Sequence, residues 1–574
     1  MTLISRRRLV PSLVFALAAS LAAPAALCAA PSAEPAKPPQ PPFGAYLAGL
    51  YAQETRDYAA AASFYSRALE ADPGAPELLG RAFLMDVADG RFAEARPLAP
   101  RELRLDPQDA VAQLVLVVDR LKKGDAAGAL ADAERLPLGG IHRFARPLVL
   151  AWTRVAKGDL PGAEAALDEL DNFNGFAPLK FFQLGLVYDF TGHPNKALAS
   201  FKKTLSLSGR ANWRLTDAIA NFYLRHGEKE QAEELYKRFV EQNPDSELAE
   251  SVLHLRPSGT PRPVVDSAAS GLAEALFDLA SVLNQPETVD LALVYDRFAL
   301  ELRPDYALGQ LLLADILSAE DRPAASLRVL GAIAKDSPYS WSAQLRSAAD
   351  LDSLGRTGEA VKKLQAMAAA QPKWAGASIQ LGDVLREKKD FAGAAAAYQE
   401  AVARLKAAGM PQRWSLAYSL GIALDRSNHW DKAEAQLQHA LQLQPDQPLV
   451  LNYLGYSWID RGVKLHEGLA MIEKAVKLRP EDGYIIDSLG WAHYHLGQYK
   501  KAVKYLEKAV ELVPDDPTIN DHLGDAYWKA GRPIEARFQW RQALQFGPHK
   551  DEIKPIEAKL ERGLGPSPAR AGGG

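Results

Sequence analysis

His493 and His495 are the nearest approach in this chain to a metal-binding pair, and their spacing argues against one. They stand two apart in a stretch of helical periodicity, so their rings project from different faces. A chelating histidine pair on a helix needs the i, i+4 relation. His466-Glu467 lies in the turn of a hairpin, with no second histidine at i+4. No glycine-rich phosphate loop, nucleophile elbow or paired-carboxylate context occurs. Cys28 is the single thiol, which excludes an internal disulfide, a Cys-ligated zinc and an iron–sulfur cluster from the body of the protein. No catalytic, metal-ligating or cofactor-binding residues are therefore expected, and no enzyme. What the last third does contain is aspartate interleaved with tyrosine and tryptophan. That chemistry grips a ligand without transforming it.

The elements that position these side chains follow a period. Leu454-Gly455, Leu489-Gly490 and Leu523-Gly524 are separated by 35 and 34 residues. Ala475, Ala509 and Ala543 follow at intervals of 34, as do Pro480, Pro514 and Pro548. Small residues at fixed places with this period mark a helical hairpin repeat. Gly490 and Ala502 fall where the two helices of one hairpin cross, and a large side chain there would hold the backbones beyond roughly 8–10 Å. Ala509 does the same against the next repeat, and Leu489, Leu506 and Tyr527 fill the remaining space. Pro514 ends a second helix, and Asp515-Asp516 cap the next one.

Composition agrees with a long folded solenoid. Of 574 residues, 48% are hydrophobic and 24% charged, and the net charge of −4 leaves no electrostatic footprint for nucleic acid. Arg6-Arg7-Arg8 followed by an uncharged apolar run to Ala30 reads as an export signal over 1–30. A Pro-rich linker occupies 31–42. An N-terminal array then spans 43–254, regular at first and irregular between Ala110 and Asn212. Three prolines and a glycine between Leu255 and Ser267 forbid a continuous helix, so 255–268 is read as a joint. A C-terminal array follows over 269–550, then a capping helix at 551–564 that covers the last repeat, and a Gly/Pro/Ala tail at 565–574.

On the strength of the Leu-Gly, Ala and Pro positions, the chain resembles the tetratricopeptide repeat (TPR) superfamily. The resemblance implies an all-α fold, a right-handed superhelix of about fourteen hairpins in two arrays. In that superfamily the first helix of each hairpin lines the concave face. The groove residues lie three before the signature Gly, one after it, and four or five after it. Carried onto this sequence, the rule gives a row of Asn452, Asp487 and Asp521, and a second of Tyr456, Trp491 and Asp525. The third comprises Asp460, Tyr494, His495, Trp528 and Lys529. This acidic and aromatic groove suits an extended segment of another protein carrying Lys or Arg. It departs from the Lys/Asn clamp that grips a C-terminal carboxylate.

The expected function is a non-enzymatic, exported scaffold or adaptor of the periplasm. Its C-terminal array is similar to envelope TPR adaptors that deliver cell-wall hydrolases to carboxyl-terminal processing proteases. An assembly factor for a pilus, secretion or polysaccharide-export apparatus is the alternative. Those adaptors are outer-membrane lipoproteins, which would make Cys28 a lipidation site. The residues before it, Ala25-Ala26-Leu27, reverse the usual lipobox order, so soluble periplasm is the expected location. Neither the partner nor the oligomeric state is legible in the sequence.

Overall fold

The computed structural model describes residues 43–209, 212–243 and 261–565. The expected export signal with Cys28, the Pro-rich linker, residues 255–260 of the 255–268 joint and most of the tail lie outside the described residues. Among the described residues there are 29 α-helices, two 3₁₀ turns and no strand. They form fourteen consecutive hairpins and a closing helix, Lys550–Arg562. The fold is an α-solenoid of the expected type.

Each hairpin is made by the contacts its periodic residues permit. A Cβ placed on Gly490 would come within 2.5 Å of the Leu506 side chain, on Gly382 within 2.4 Å of Tyr398, and on Gly524 within 2.5 Å of Trp540. The missing carbon is thus the space into which the second helix drops its large residue. Ala502, Leu506 and Ala509 are fully buried along that contact. Helix starts are fixed by side-chain caps: Asp516 accepts from the backbone N–H groups of Thr518 and Ile519, and Asp482 from Ile485. Gly497 and Gly531, at φ 74° and 82°, make the tight turn within their hairpins. One turn carries an extra residue, and Lys464 absorbs it in the left-handed region at φ 46°. As a result His466 and Glu467 sit in the first turn of helix Leu465–Leu478, not in the hairpin turn where the sequence reading placed them.

The N-terminal hairpins curl around a helix from beyond the joint. Helix Ala268–Leu283 buries eleven of its sixteen residues. The helices it packs against are Ala110–Lys122, Ala145–Ala156 and Ala177–Phe190, all first helices of their hairpins. Its Gly271 lies so close to the Trp152 ring that a Cβ would meet it at 2.2 Å. Gln183 donates to Asp278 at 2.8 Å, and Trp152 donates to Gln183 at 2.8 Å. Glu274, fully buried, pairs with Arg214, accepts from Arg303 at 3.0 Å and from the Tyr306 hydroxyl at 2.5 Å. Burial, with the nearby Glu274 charge, pushes Asp278 up to about 7 against the pull of Arg214 and the Gln183 hydrogen bond.

Helix Val289–Leu302 extends the plug. Phe298 packs on Phe92 with ring centroids 5.2 Å apart, and Arg297 donates to the Ala88 carbonyl at 2.9 Å. Next to it, Arg56 reaches Glu320 at 2.6 Å, closing the horseshoe. One apolar core consequently runs from Ala52 to Leu317, across the 255–268 segment, and smaller clusters follow it hairpin by hairpin.

Truncating Glu274 would leave Arg214 buried without its main partner. Glu274→Ala is expected to destabilise the N-terminal unit by about 3–5 kcal/mol, read by urea unfolding. A loss below about 1 kcal/mol would show that the charges at the centre of the horseshoe hold nothing together.

Candidate functional site

Helices Pro448–Asp460, Gly483–His495 and Pro517–Lys529, first helices of the last three hairpins, carry the rows expected to line the groove, and Gly376–Glu387 is the equivalent helix of an earlier hairpin. The structure separates those residues into two groups. Tyr456 and Asp460 line an open cavity of about 360 Å³ with Asp425, Tyr453 and Arg461. Asp460 is exposed and forms no ion pair among the described residues, while Tyr456 is half-buried. Asp425 itself is engaged: Tyr453 donates to it at 2.8 Å and Arg461 at 2.5 Å, with the Arg461 guanidinium 4.1 Å over the Trp430 ring. A second cavity, of about 400 Å³, lies earlier in the array against Asp352, Ile379, Asp383 and Glu387. Burial raises the Asp383 carboxyl despite hydrogen bonding from Tyr398 and the nearby Arg386.

The second group is taken up by contacts between hairpins. Asp487 is buried and accepts from His522 Nδ1, with its two oxygens at 2.9 and 3.1 Å. His522 stacks on Trp491 at 3.9 Å with planes 15° apart, and Trp491 stacks on Tyr494 at 4.7 Å and 3°. His495 meets the edge of the same indole at 5.0 Å. This packing buries the Asn452 Oδ1, Trp491 Nε1 and His495 Nε2 atoms without a hydrogen-bond partner. Asp521 and Asp525 share Lys559 from the closing helix at 2.7–2.9 Å, and Asp525 also accepts from Trp540 Nε1 at 2.9 Å. Trp528 lies against Trp540, with ring centroids 5.6 Å apart. His493 and His495 do face apart: His493 turns to Gln498 and stacks on Tyr505.

The residues that the groove rule does not pick out share one place in the repeat. Gln380, Tyr453 and His522 each stand two before a hairpin glycine, and each reaches back to the preceding first helix. Gln380 donates to the Leu345 carbonyl at 2.8 Å, Tyr453 to Asp425 and His522 to Asp487. A polar side chain at that position was the available signal.

Comparison with known proteins places these hairpins in context. Models described as TPR repeat or tetratricopeptide repeat match residues 218–246, 345–409 and 490–531. The chain is 32% identical over 168 residues to the TPR repeat-containing protein PA4667 of Pseudomonas aeruginosa, covering 29% of this chain and 27% of that protein. It is 31% identical over 93 residues to the BBSome complex member BBS4 of Bos taurus, covering 16% of this chain and 18% of that one. The matched stretches thus span well under a third of either relative. Among solved structures it is similar to the APC/C hetero-tetramer Cut9–Hcn1 at 16% identity, with 91% of this chain and 96% of that chain covered and a TM-score of 0.39. The yeast Tom70 structure gives 15% identity, 91% and 95% coverage and a TM-score of 0.29.

The His522–Asp487 pair makes the joint between these hairpins pH-dependent. Burial pulls the imidazole pKa down, but the Asp487 charge and hydrogen bond outweigh it, and the folded value is raised. A raised folded value means the stabilisation is complete below the unfolded pKa of about 6.5 and is lost as pH rises through the folded one. Amides of helix Pro517–Lys529 are therefore expected to be better protected from hydrogen exchange at about pH 5.5 than at about pH 8.5 after correction for intrinsic rates. His522→Gln should flatten that difference, and an unchanged profile would refute the assignment.

Proposed function

The chain is a tetratricopeptide-repeat solenoid, and from that premise we propose that it is a non-enzymatic scaffold of the cell envelope. It holds an extended, lysine- or arginine-bearing segment of a partner protein in the groove of its C-terminal hairpins. Tetratricopeptide repeats generally serve protein–protein interaction; what is proposed is the groove, the ligand class and the location.

The observation that carries the reading is the contrast between the two grooves. Three N-terminal first helices, Ala110–Lys122, Ala145–Ala156 and Ala177–Phe190, close on helix Ala268–Leu283, whose Gly271, Glu274 and Leu276 are buried, so that stretch of the groove is filled by the chain itself. An open cavity of about 510 Å³ remains beyond it, against Arg214, Asp217, Arg303 and Tyr306, where Arg214 and Arg303 already occupy the Glu274 carboxylate. The C-terminal first helices leave cavities at Tyr456–Asp460 and at Asp352–Asp383. Arginines share both linings and hold some of the carboxylates. Asp460 in the first cavity and Glu387 in the second form no ion pair among the described residues and favour ammonium and guanidinium groups, while Tyr453 and Tyr456 of the first can pack their apolar stems. The envelope location rests on the basic, then apolar, leader from Arg6 to Ala30. A link between a processing protease and its cell-wall substrates is the specific adaptor role that the resemblance suggests.

Tyr456 and Asp460 are the residues to change, because Asp487 and Asp525 also hold hairpins together. Tyr456→Ala with Asp460→Lys is expected to weaken capture of crosslinked envelope partners at least tenfold, a loss of about 1.4 kcal/mol. Helicity by circular dichroism should stay unchanged, and equal capture by variant and wild type would defeat the groove assignment. Osmotic-shock fractionation is expected to release the mature protein with the soluble periplasm. Retention in the outer membrane, abolished by Cys28→Ala, would replace that location with a lipid-anchored one.

A further inference from the structure

We propose that the concave face of the last hairpin is a lysine-reading site, and that residues 550–565 are its tethered occupant, displaced when a lysine-bearing segment of a partner docks. The proposal rests on the scaffold reading and names the chemistry of one of its subsites. Four contacts carry it, three on groove residues of helix Pro517–Lys529 and one on Arg537 of the helix behind it. Lys559 Nζ is held by Asp521 at 2.7 and 2.9 Å and by Asp525 at 2.9 Å. Gly563, at φ 70°, lies on the Trp528 indole so closely that a Cβ would come within 1.9 Å of it. Lys529 Nζ donates to the Gly565 carbonyl at 3.3 Å, and Arg537 Nε to the Leu560 carbonyl at 3.4 Å. The face thus reads an ammonium, a glycine four residues later, and main-chain carbonyls.

The occupant is lightly held. Helix Lys550–Arg562 has Pro555 in its interior and buries a single side chain, Ile556, whereas the preceding helix Pro533–Gln545 buries Ala536, Trp540 and Ala543. A proline inside a helix removes one backbone donor and weakens the turn around it. The face beneath is better fixed, because Trp540 Nε1 orients Asp525 independently of Lys559. Asp521 and Asp525 are one helical turn apart, so removing Lys559 leaves two facing carboxylates that repel. The site cannot simply be vacated at low cost; another cation must take the place. That requirement selects a lysine-bearing competitor over a neutral one.

The test uses the full chain and a fluorescent peptide with the sequence of residues 549–565. Wild-type chain should bind it weakly, because its own segment competes. A Lys559→Glu chain, whose segment is repelled by Asp521 and Asp525, should bind it at least tenfold tighter by fluorescence anisotropy. Adding Asp521→Asn and Asp525→Asn to that chain should abolish binding, as should Lys559→Glu in the peptide. Equal affinity of the wild-type and Lys559→Glu chains, or equal binding of the two peptides, would overturn the proposal. Hydrogen exchange on the unmodified chain gives a second reading independent of any variant. Amides 556–562 should exchange at least tenfold faster than amides 536–545, and matched protection would overturn the displacement. If these assays fail while Tyr456→Ala with Asp460→Lys still loses its partner, the scaffold reading stands and the lysine site does not.

Discussion

A missing carbon atom sets the geometry of this protein. Where Gly490, Gly382 and Gly524 face Leu506, Tyr398 and Trp540, the second helix comes close enough that a single Cβ would overlap it. Everything larger follows from repeating that approach at nearly constant intervals. The hairpin angle fixes which side of each first helix faces inward, and the inward side decides which residues can meet a partner. Burial supplies the free energy at these crossings, and the small residue determines where it is gained.

The same construction is used for two different ends. In the N-terminal half the inward sides enclose helix Ala268–Leu283, and polar groups that would otherwise be stranded are matched one to another, Arg214 and Arg303 to Glu274, Gln183 to Asp278. Charges buried at the centre of a fold are costly unless paired, and around Glu274 that pairing is supplied. In the C-terminal half the inward sides carry carboxylates at partly hydrated positions, and the aromatic rings lie against each other instead of against another helix. The stack of Tyr494, Trp491 and His522 ties the last two hairpins together, with open cavities before it and the Lys559 site after it.

Local rules were readable from the chain and long-range pairings were not. The period, the glycine crossings and the Asp516 cap each depend on residues within one hairpin, and the sequence reading found them. Tyr456 and Asp460 were assigned to the groove by the position rule that the superfamily resemblance implies, and both line an open cavity. The partners of Asp487, Asp521 and Asp525 were missed because His522 and Lys559 lie 35 and 34–38 residues away, and only the stacking of hairpins brings them together. Helix Ala268–Leu283 did carry a signal. Its sequence, AASGLAEALFDLASVL, carries only two charges, Glu274 and Asp278, on one face with Ser270 and Ser281, and is apolar over the remainder, as suits a helix largely enclosed by protein. The extra residue before His466 was counted correctly, but the turn took it up at Lys464.

The closed horseshoe bears on the order in which the molecule is assembled. Arg56 and Glu320 are 264 positions apart along the chain, yet they meet at the rim. Contacts across such a span must first bear the entropy of closing a long loop, whereas those of the C-terminal hairpins join neighbours. Synthesis delivers the N-terminal hairpins first, before the helix that fills them exists. For that interval their inner faces are apolar and empty. The half of the protein made earliest thus stays incomplete until residues 268–320 have been added, and for that interval its exposed apolar faces are a liability for aggregation.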